Sequence, residues 1–79
     1  MKKFKESISI CDKLLELYPN NGDVLFDKSC NYAALGDNSS CIFNLKLAIN
    51  VSSKFKINAK KNNAFDLLRN DEKFLELVK

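Results

Sequence analysis

The sequence predicts an all-α fold built of antiparallel helical hairpins, and three observations carry that prediction. Apolar side chains recur at spacings of three and four along most of the chain, the period of helices with one buried stripe. The residues that break helices are few, one Pro and two Gly in 79 residues, and they fall between the periodic runs. The first and third runs also match each other at a shift of 34 residues, as a repeated supersecondary unit does.

Taken in order, the first run predicts a helix over 2–18. Phe4, Ile8, Cys11, Leu15 and Tyr18 form its stripe, and Leu14 widens it. Pro19 stops the helix, because its ring clashes with the preceding turn, and Asn20-Asn21-Gly22 makes the corner. A second helix follows over 22–35, with Leu25, Ser29 and Tyr32 on one face. Gly36 ends it in the left-handed conformation that glycine adopts without strain. Asp37 or Asn38 then caps a third helix, 38–51, whose stripe is Cys41, Ile42, Leu45, Ala48 and Ile49. Ser52 or Ser53 caps a shorter fourth helix, 53–61, and Asn62-Asn63 breaks it. Phe65, Leu68, Phe74 and Leu77 punctuate a compact tail, in which Asn70 or Asp71 caps a last helix at 71–78.

The 34-residue shift sets Ser7 on Cys41, Ile8 on Ile42, Cys11 on Leu45, Leu14 on Ala48, Leu15 on Ile49 and Leu17 on Val51. Small meets small at the first pair, and apolar meets apolar at the rest. A helix and a glycine corner lie between the two copies. Helices approach within about 8–10 Å only where the contact residues are small. Ser29, Cys41 and Ala48 permit that approach, while Tyr32, Leu45 and Ile49 fill the space around it.

With Ser29, Tyr32, Gly36-Asp37, Cys41 and Ala48 in this register, the chain resembles the tetratricopeptide repeat family. Pro19 stands where that family places a proline between units, and the Phe4–Ile8 segment is similar to its usual entry into a second helix. Three positions depart from the pattern: Leu25 replaces a common Trp, Lys28 a common Leu, and Ser53 a second Pro. Ala59, Phe65, Leu68, Arg69, Phe74 and Leu77 are similar to the segment that closes many such arrays.

The resemblance implies a right-handed solenoid with a C-terminal helical cap. Residues 1–21 would be the second helix of a truncated repeat, 22–55 one full repeat and 56–79 the capping segment. It also implies a protein-interaction scaffold whose partner is a protein or peptide held on the inner face, at Asp23, Phe26, Asp27, Cys30, Ala33 and Ala34. An acidic pair beside an exposed aromatic suits a basic or amphipathic peptide. The opposing reading has the two aspartates favouring a helix N-terminus and Phe26 packing on the fourth helix. The Lys and Asn clamp with which some family members grip a terminal carboxylate is missing, since Phe26 and Cys30 hold its places.

Composition excludes more than it assigns. A chain of 79 residues makes one domain and buries only about 60% of its unfolded surface. The net charge of +3 does not demand a nucleic-acid or membrane partner. Lys54, Lys56, Lys60 and Lys61 form a basic run with little aromatic interleaving and no Arg, which reads as a solvated helix face before a weak nucleic-acid surface. Without a histidine or a Cys-x-x-Cys pair, no zinc site and no catalytic constellation is expected, and no cofactor. Lys5 and Glu6 interrupt the apolar run a signal peptide needs, so a cytoplasmic protein is expected. The odd count of three cysteines then favours free thiols. Cys11 and Cys41 sit on packing stripes and Cys30 on the inner face, so Cys30 is expected to react first.

The first helix carries more apolar surface than one neighbour covers. Phe4, Ile10 and Leu17 on it, and Phe43 and Leu47 on the third helix, are the candidate oligomer surface. An upstream repeat, a partner helix or a homo-dimer across the first helix would cover the excess. Phe43 and Leu47 pack under the tail or form an outer apolar patch. A purely structural role, as a capping or dimerisation piece of a longer chain, is the alternative to a scaffold.

Overall fold

Pro19 and Gly36 set the two corners around which the helices fold back. The computed structural model describes residues 3–79. Helix α1 runs Phe4–Leu17, α2 Gly22–Leu35, α3 Asn38–Val51, α4 Lys54–Lys61 and α5 Glu72–Leu77, with a 3-10 helix at Asn63–Leu68 between the last two. No strand occurs among the described residues. The expected helix at 2–18 therefore begins at Phe4, and Lys2 lies outside the described residues.

Each start and stop has a local cause. Helix α1 ends at Leu17, one residue before Tyr18, whose N–H still bonds Leu14 O at 2.8 Å before the chain turns at Pro19. Asn21 caps α2 by accepting from Val24 N at 3.3 Å. Gly36, at φ +80°, closes α2 in the left-handed region, and Asp37 N bonds back to Tyr32 O at 3.0 Å. Asp37 caps α3 twice, accepting from Ser40 N and from Ser40 Oγ. At α4 the cap differs from a simple serine box: Ser53 has helical angles, and Ser52 Oγ accepts from Lys54 N. Asp71 caps α5 through Lys73 N and Phe74 N.

Helices α2 and α3 form the central antiparallel pair. Gly22, at the start of α2, meets Val51 at the end of α3, and Ser29 meets Cys41 at the other end. Ser29 is fully buried, and its hydroxyl donates to Cys41 O at 2.8 Å. A small side chain lets the backbones close, and its own polar atom is satisfied there. Helix α1 packs antiparallel on α2, where Lys28 lays a half-buried stem toward Asp12 and pairs with it at 2.5 Å. The position where the repeat resemblance expects Leu is thus filled by a long stem with an ion pair at its tip.

The tail folds across α2 through four phenylalanines. Phe26 stacks on Phe55 at 5.4 Å between centroids and tilts against Phe65 at 5.6 Å, and Phe65 stacks on Phe74 at 5.6 Å. These contacts join α2, α4, the 3-10 helix and α5, with Leu68 and Ala59 buried beside them. Arg69 ties the tail back to α4: Nη2 donates to Asn62 O at 3.1 Å, Nη1 to Lys60 O, and Nε to Asp66 Oδ1. Gly22 is required by this arrangement. A Cβ there would stand 2.6 Å from Phe55 Cε2 and 3.3 Å from Val51 Cγ1.

Candidate functional site

The α2 face singled out as an inner surface divides in two. Asp23, Asp27 and Ala34 are exposed and Cys30 is half-buried, whereas Phe26 and Ala33 are buried. Phe26 is no exposed aromatic anchor, because it is buried against Phe55, on which it stacks, and Phe65, against which it tilts. The reading in which it packs on the fourth helix is the one observed. Asp23 faces α4, 4.0 Å from Lys54 Nζ, and Lys54 itself lies 5.1 Å over the Phe55 ring.

That pairing also breaks up the lysine run. Lys54 is turned toward Asp23, and Lys56 Nζ donates to Lys79 O at 3.3 Å, which leaves Lys60 and Lys61 exposed at the end of α4. Four lysines close in sequence are therefore not one patch.

Helix α1 presents the opposite picture. Ile8 and Cys11 are buried against α2, with Phe4 and Leu15 half-buried, but Ile10 is 60% exposed, Leu14 40% and Leu17 73%. These three residues are spaced i, i+4, i+7 and so share one side of the helix. Tyr18, expected on the buried stripe, is exposed, since the helix has ended before it. Beside the stripe runs an open groove of about 380 Å³ between α1 and α2. Ile10, Cys11 and Leu14 form one wall, and Val24, Asp27 and Cys30 the other.

Phe43 is 62% exposed on α3, and Leu47 is half-buried in a second groove with Pro19, Asn20 and Asn50. Phe43 is thus an outer apolar side chain, whereas Leu47 packs against the core. A third groove runs between α3 and α5, where Ile42 and Leu77 lie among Lys46, Lys73, Glu72 and Glu76. Sequence reasoning did not single out Leu67, the most exposed large apolar side chain, nor Asn44, a buried amide that donates to Ser40 O at 2.8 Å. No periodicity marks either one: Leu67 sits on a short 3-10 turn, and Asn44 reads as a polar break in an apolar stripe.

The electrostatics of the α1/α2 groove are set by desolvation. Burial, with Asp27 and Cys41 adding negative charge nearby, pushes the Cys30 thiol up to about 12. Cys11 and Cys41 are shifted upward too, burial being the main cause for both. As a residue Cys30 is half-buried where Cys11 and Cys41 are buried, but desolvation weighs most on its sulfur, which runs against the expectation that it reacts first. Cys30 has little thiolate to react with at neutral pH. Asp27 is also shifted upward, first by burial and then by Asp23, and it has no ion-pair partner among the described residues.

No family model matches the chain, and no curated protein or solved structure matches it. Among the described residues, no group of three or more His, Cys, Asp or Glu side chains is placed to hold a metal ion. No helix among them is long and apolar enough to cross a membrane. What the geometry offers is an uncovered apolar stripe beside a groove with one unpaired carboxylate. Its physical character is that of exposed apolar area beside a charge.

Proposed function

We propose that this chain is a non-catalytic protein-interaction module, the closing unit and a half of a tetratricopeptide-type right-handed array. Its partner is a protein or a peptide. The observation that carries this reading is the row Ile10, Leu14 and Leu17, held in water on a well-formed helix. Burying such side chains is worth about 1.5–3 kcal/mol each, and a small domain forgoes it at a large fraction of its total stability. The 34-residue register and the closing tail support the array reading. The surface of use differs from the inner face that the repeat resemblance implies, because Phe26 and Ala33 are spent inside the fold.

A second reading, a structural end cap, is favoured by the phenylalanine stack that seals the α4–α5 end. Affinity capture separates the two, run at low and high salt with nuclease present. The wild-type chain is compared with one carrying Ile10→Lys and Leu17→Lys. A protein retained by the wild type at high salt and lost by the variant supports the interaction module. Equal capture by both chains, or none by either, leaves only the end-cap role. Capture that disappears with nuclease or with added salt would assign the lysines of α4 to nucleic acid instead.

A further inference from the structure

We propose that the α1/α2 groove receives an amphipathic α-helix of a partner protein, small-faced along its apolar stripe and carrying a lysine or arginine against Asp27. This rests on the interaction reading above and specifies the chemistry of the partner.

The molecule contains its own measure of what is missing. The 34-residue register that sets α1 on α3 pairs Ile10 with Asn44 and Leu14 with Ala48. Helix α3 lies between α2 and α4, and there Asn44 is 5% exposed and Ala48 0%. Helix α1 packs chiefly on α2, and the matching positions stand open at 60% and 40%. The uncovered side of α1 is therefore the side that a neighbouring helix covers on α3. Ile10 and Leu14 are larger than the residues they match, so a helix seated there must offer Ala, Gly or Ser opposite them to come equally close.

Charge decides between partner classes. Asp27 lines the groove beside Cys11 and Cys30, and Lys28, next to it in sequence, is committed to Asp12. A cation brought to the groove would stabilise a carboxylate that burial disfavours in its charged form. In an antiparallel two-fold pairing of α1 with its copy, the side of each groove that carries Asp27 meets the same side of the other. Like charges then face each other and oppose that pairing.

The test uses two tagged, end-capped helical peptides. Both carry alanine and leucine at i, i+3, i+4 and i+7; one has lysines flanking the stripe, the other glutamates. Binding to the full chain is read by fluorescence anisotropy. Since the chain's net charge of +3 favours the glutamate peptide non-specifically, a preference for lysine reports the groove itself. The expected result is at least about tenfold tighter binding of the lysine peptide. Asp27→Asn should remove most of that preference, and Ile10→Lys should abolish binding while circular dichroism stays unchanged. Bound peptide should also slow thiol labelling of Cys30.

Equal binding of the two peptides, no binding of either, or binding indifferent to Ile10→Lys would overturn the proposal. So would a dimer in sedimentation, growing with concentration and lost in Ile10→Lys, which would assign the groove to a second copy. A partner captured through Ile10 and Leu17 while the lysine peptide fails to bind would sink the helix chemistry and leave the interaction module standing.

Discussion

The two ends of this molecule treat the same kind of side chain in opposite ways. At the α4–α5 end, Phe55, Phe65, Leu68 and Phe74 are almost wholly removed from water, and four rings, Phe55, Phe26, Phe65 and Phe74, contact one another in series. At the α1 end, Ile10, Leu14 and Leu17 stand on a regular helix and remain exposed. Both ends need to cover the flank of a helical hairpin, because a stacked helical unit exposes an apolar side wherever no neighbour follows. One flank is closed by irregular chain, a 3-10 turn and a six-residue helix clasped by Arg69. The other is left regular and open. A regular surface can accept a further helix; a folded-over tail cannot.

The largest way to break that contrast is at the closed end. Phe65 touches two other rings and has no exposed surface, so Phe65→Ala should lower stability by about 3–5 kcal/mol. A domain of this size holds little more than that. Chemical denaturation should show a largely unfolded chain, and deletion of residues 64–79 should do the same or cause aggregation. A stable Phe65→Ala protein would mean that the stack is not what seals this end.

A smaller effect is expected where α2 and α4 meet. Gly22→Ala puts a methyl group 2.6 Å from the Phe55 ring, which is buried and stacked on Phe26. Overpacking of this kind costs roughly 1–3 kcal/mol. Gly36→Ala provides the comparison: its Cβ meets nothing within 4 Å, and the penalty there comes from the positive φ alone, about 1–2 kcal/mol. Thermal denaturation with Phe55→Leu in the Gly22→Ala background should recover part of the loss, while the same change should not help Gly36→Ala.

Smaller again is the alkaline limb of the stability curve. All three thiols have folded-state values above the ordinary value of 9.0, with Cys30 at about 12. A raised value means that the folded state holds its proton more tightly, so the stabilisation is complete below pH 9 and fades as pH climbs from 9 toward 12. The melting temperature should fall over that range, and Cys30→Ala should flatten the fall relative to the wild type. Lysines titrate in the same window, so the difference between the two chains is the quantity to read. An identical pH dependence in Cys30→Ala would remove Cys30 from the account.

How much of this was legible beforehand follows from how local each cause is. Pro19, Gly36 and the Asp caps act within four residues, and the helices they bound lie within two residues of the expected ends. The role of Phe65, Leu68 and Phe74 as a lid was readable from their spacing, although the 3-10 geometry beneath them was not. A single short turn leaves no period to detect. At the candidate inner face the two readings of Phe26, exposed anchor or packing on the fourth helix, stayed open in the sequence, because its burial depends on where Phe55 and Phe65, far along the chain, come to rest. Lys28 shows the same limit: in the sequence it is only a departure from the repeat pattern, whereas its stem and its pairing with Asp12 make it part of the α1–α2 contact. Excess apolar surface on α1 was countable from the sequence. Which residues would be the ones left over required the structure.

The smallest expected effect is the most telling one about the open end. Ile10→Lys and Leu17→Lys, alone or together, should change the stability of the isolated chain by no more than about 0.5 kcal/mol, the range of ordinary surface substitutions. Both side chains are more than half exposed, and neither buries a contact that a lysine stem cannot keep. Leu15→Lys, on the half-buried side of the same helix and packed against the core, should be clearly worse. Urea denaturation of the three variants in parallel gives the answer, because m reports any change in exposed surface alongside the midpoint. If Ile10→Lys and Leu17→Lys unfold the chain as readily as Leu15→Lys, the stripe is part of the core and the end is not open. If they leave midpoint and m alone, the apolar row contributes nothing to folding and the end is open.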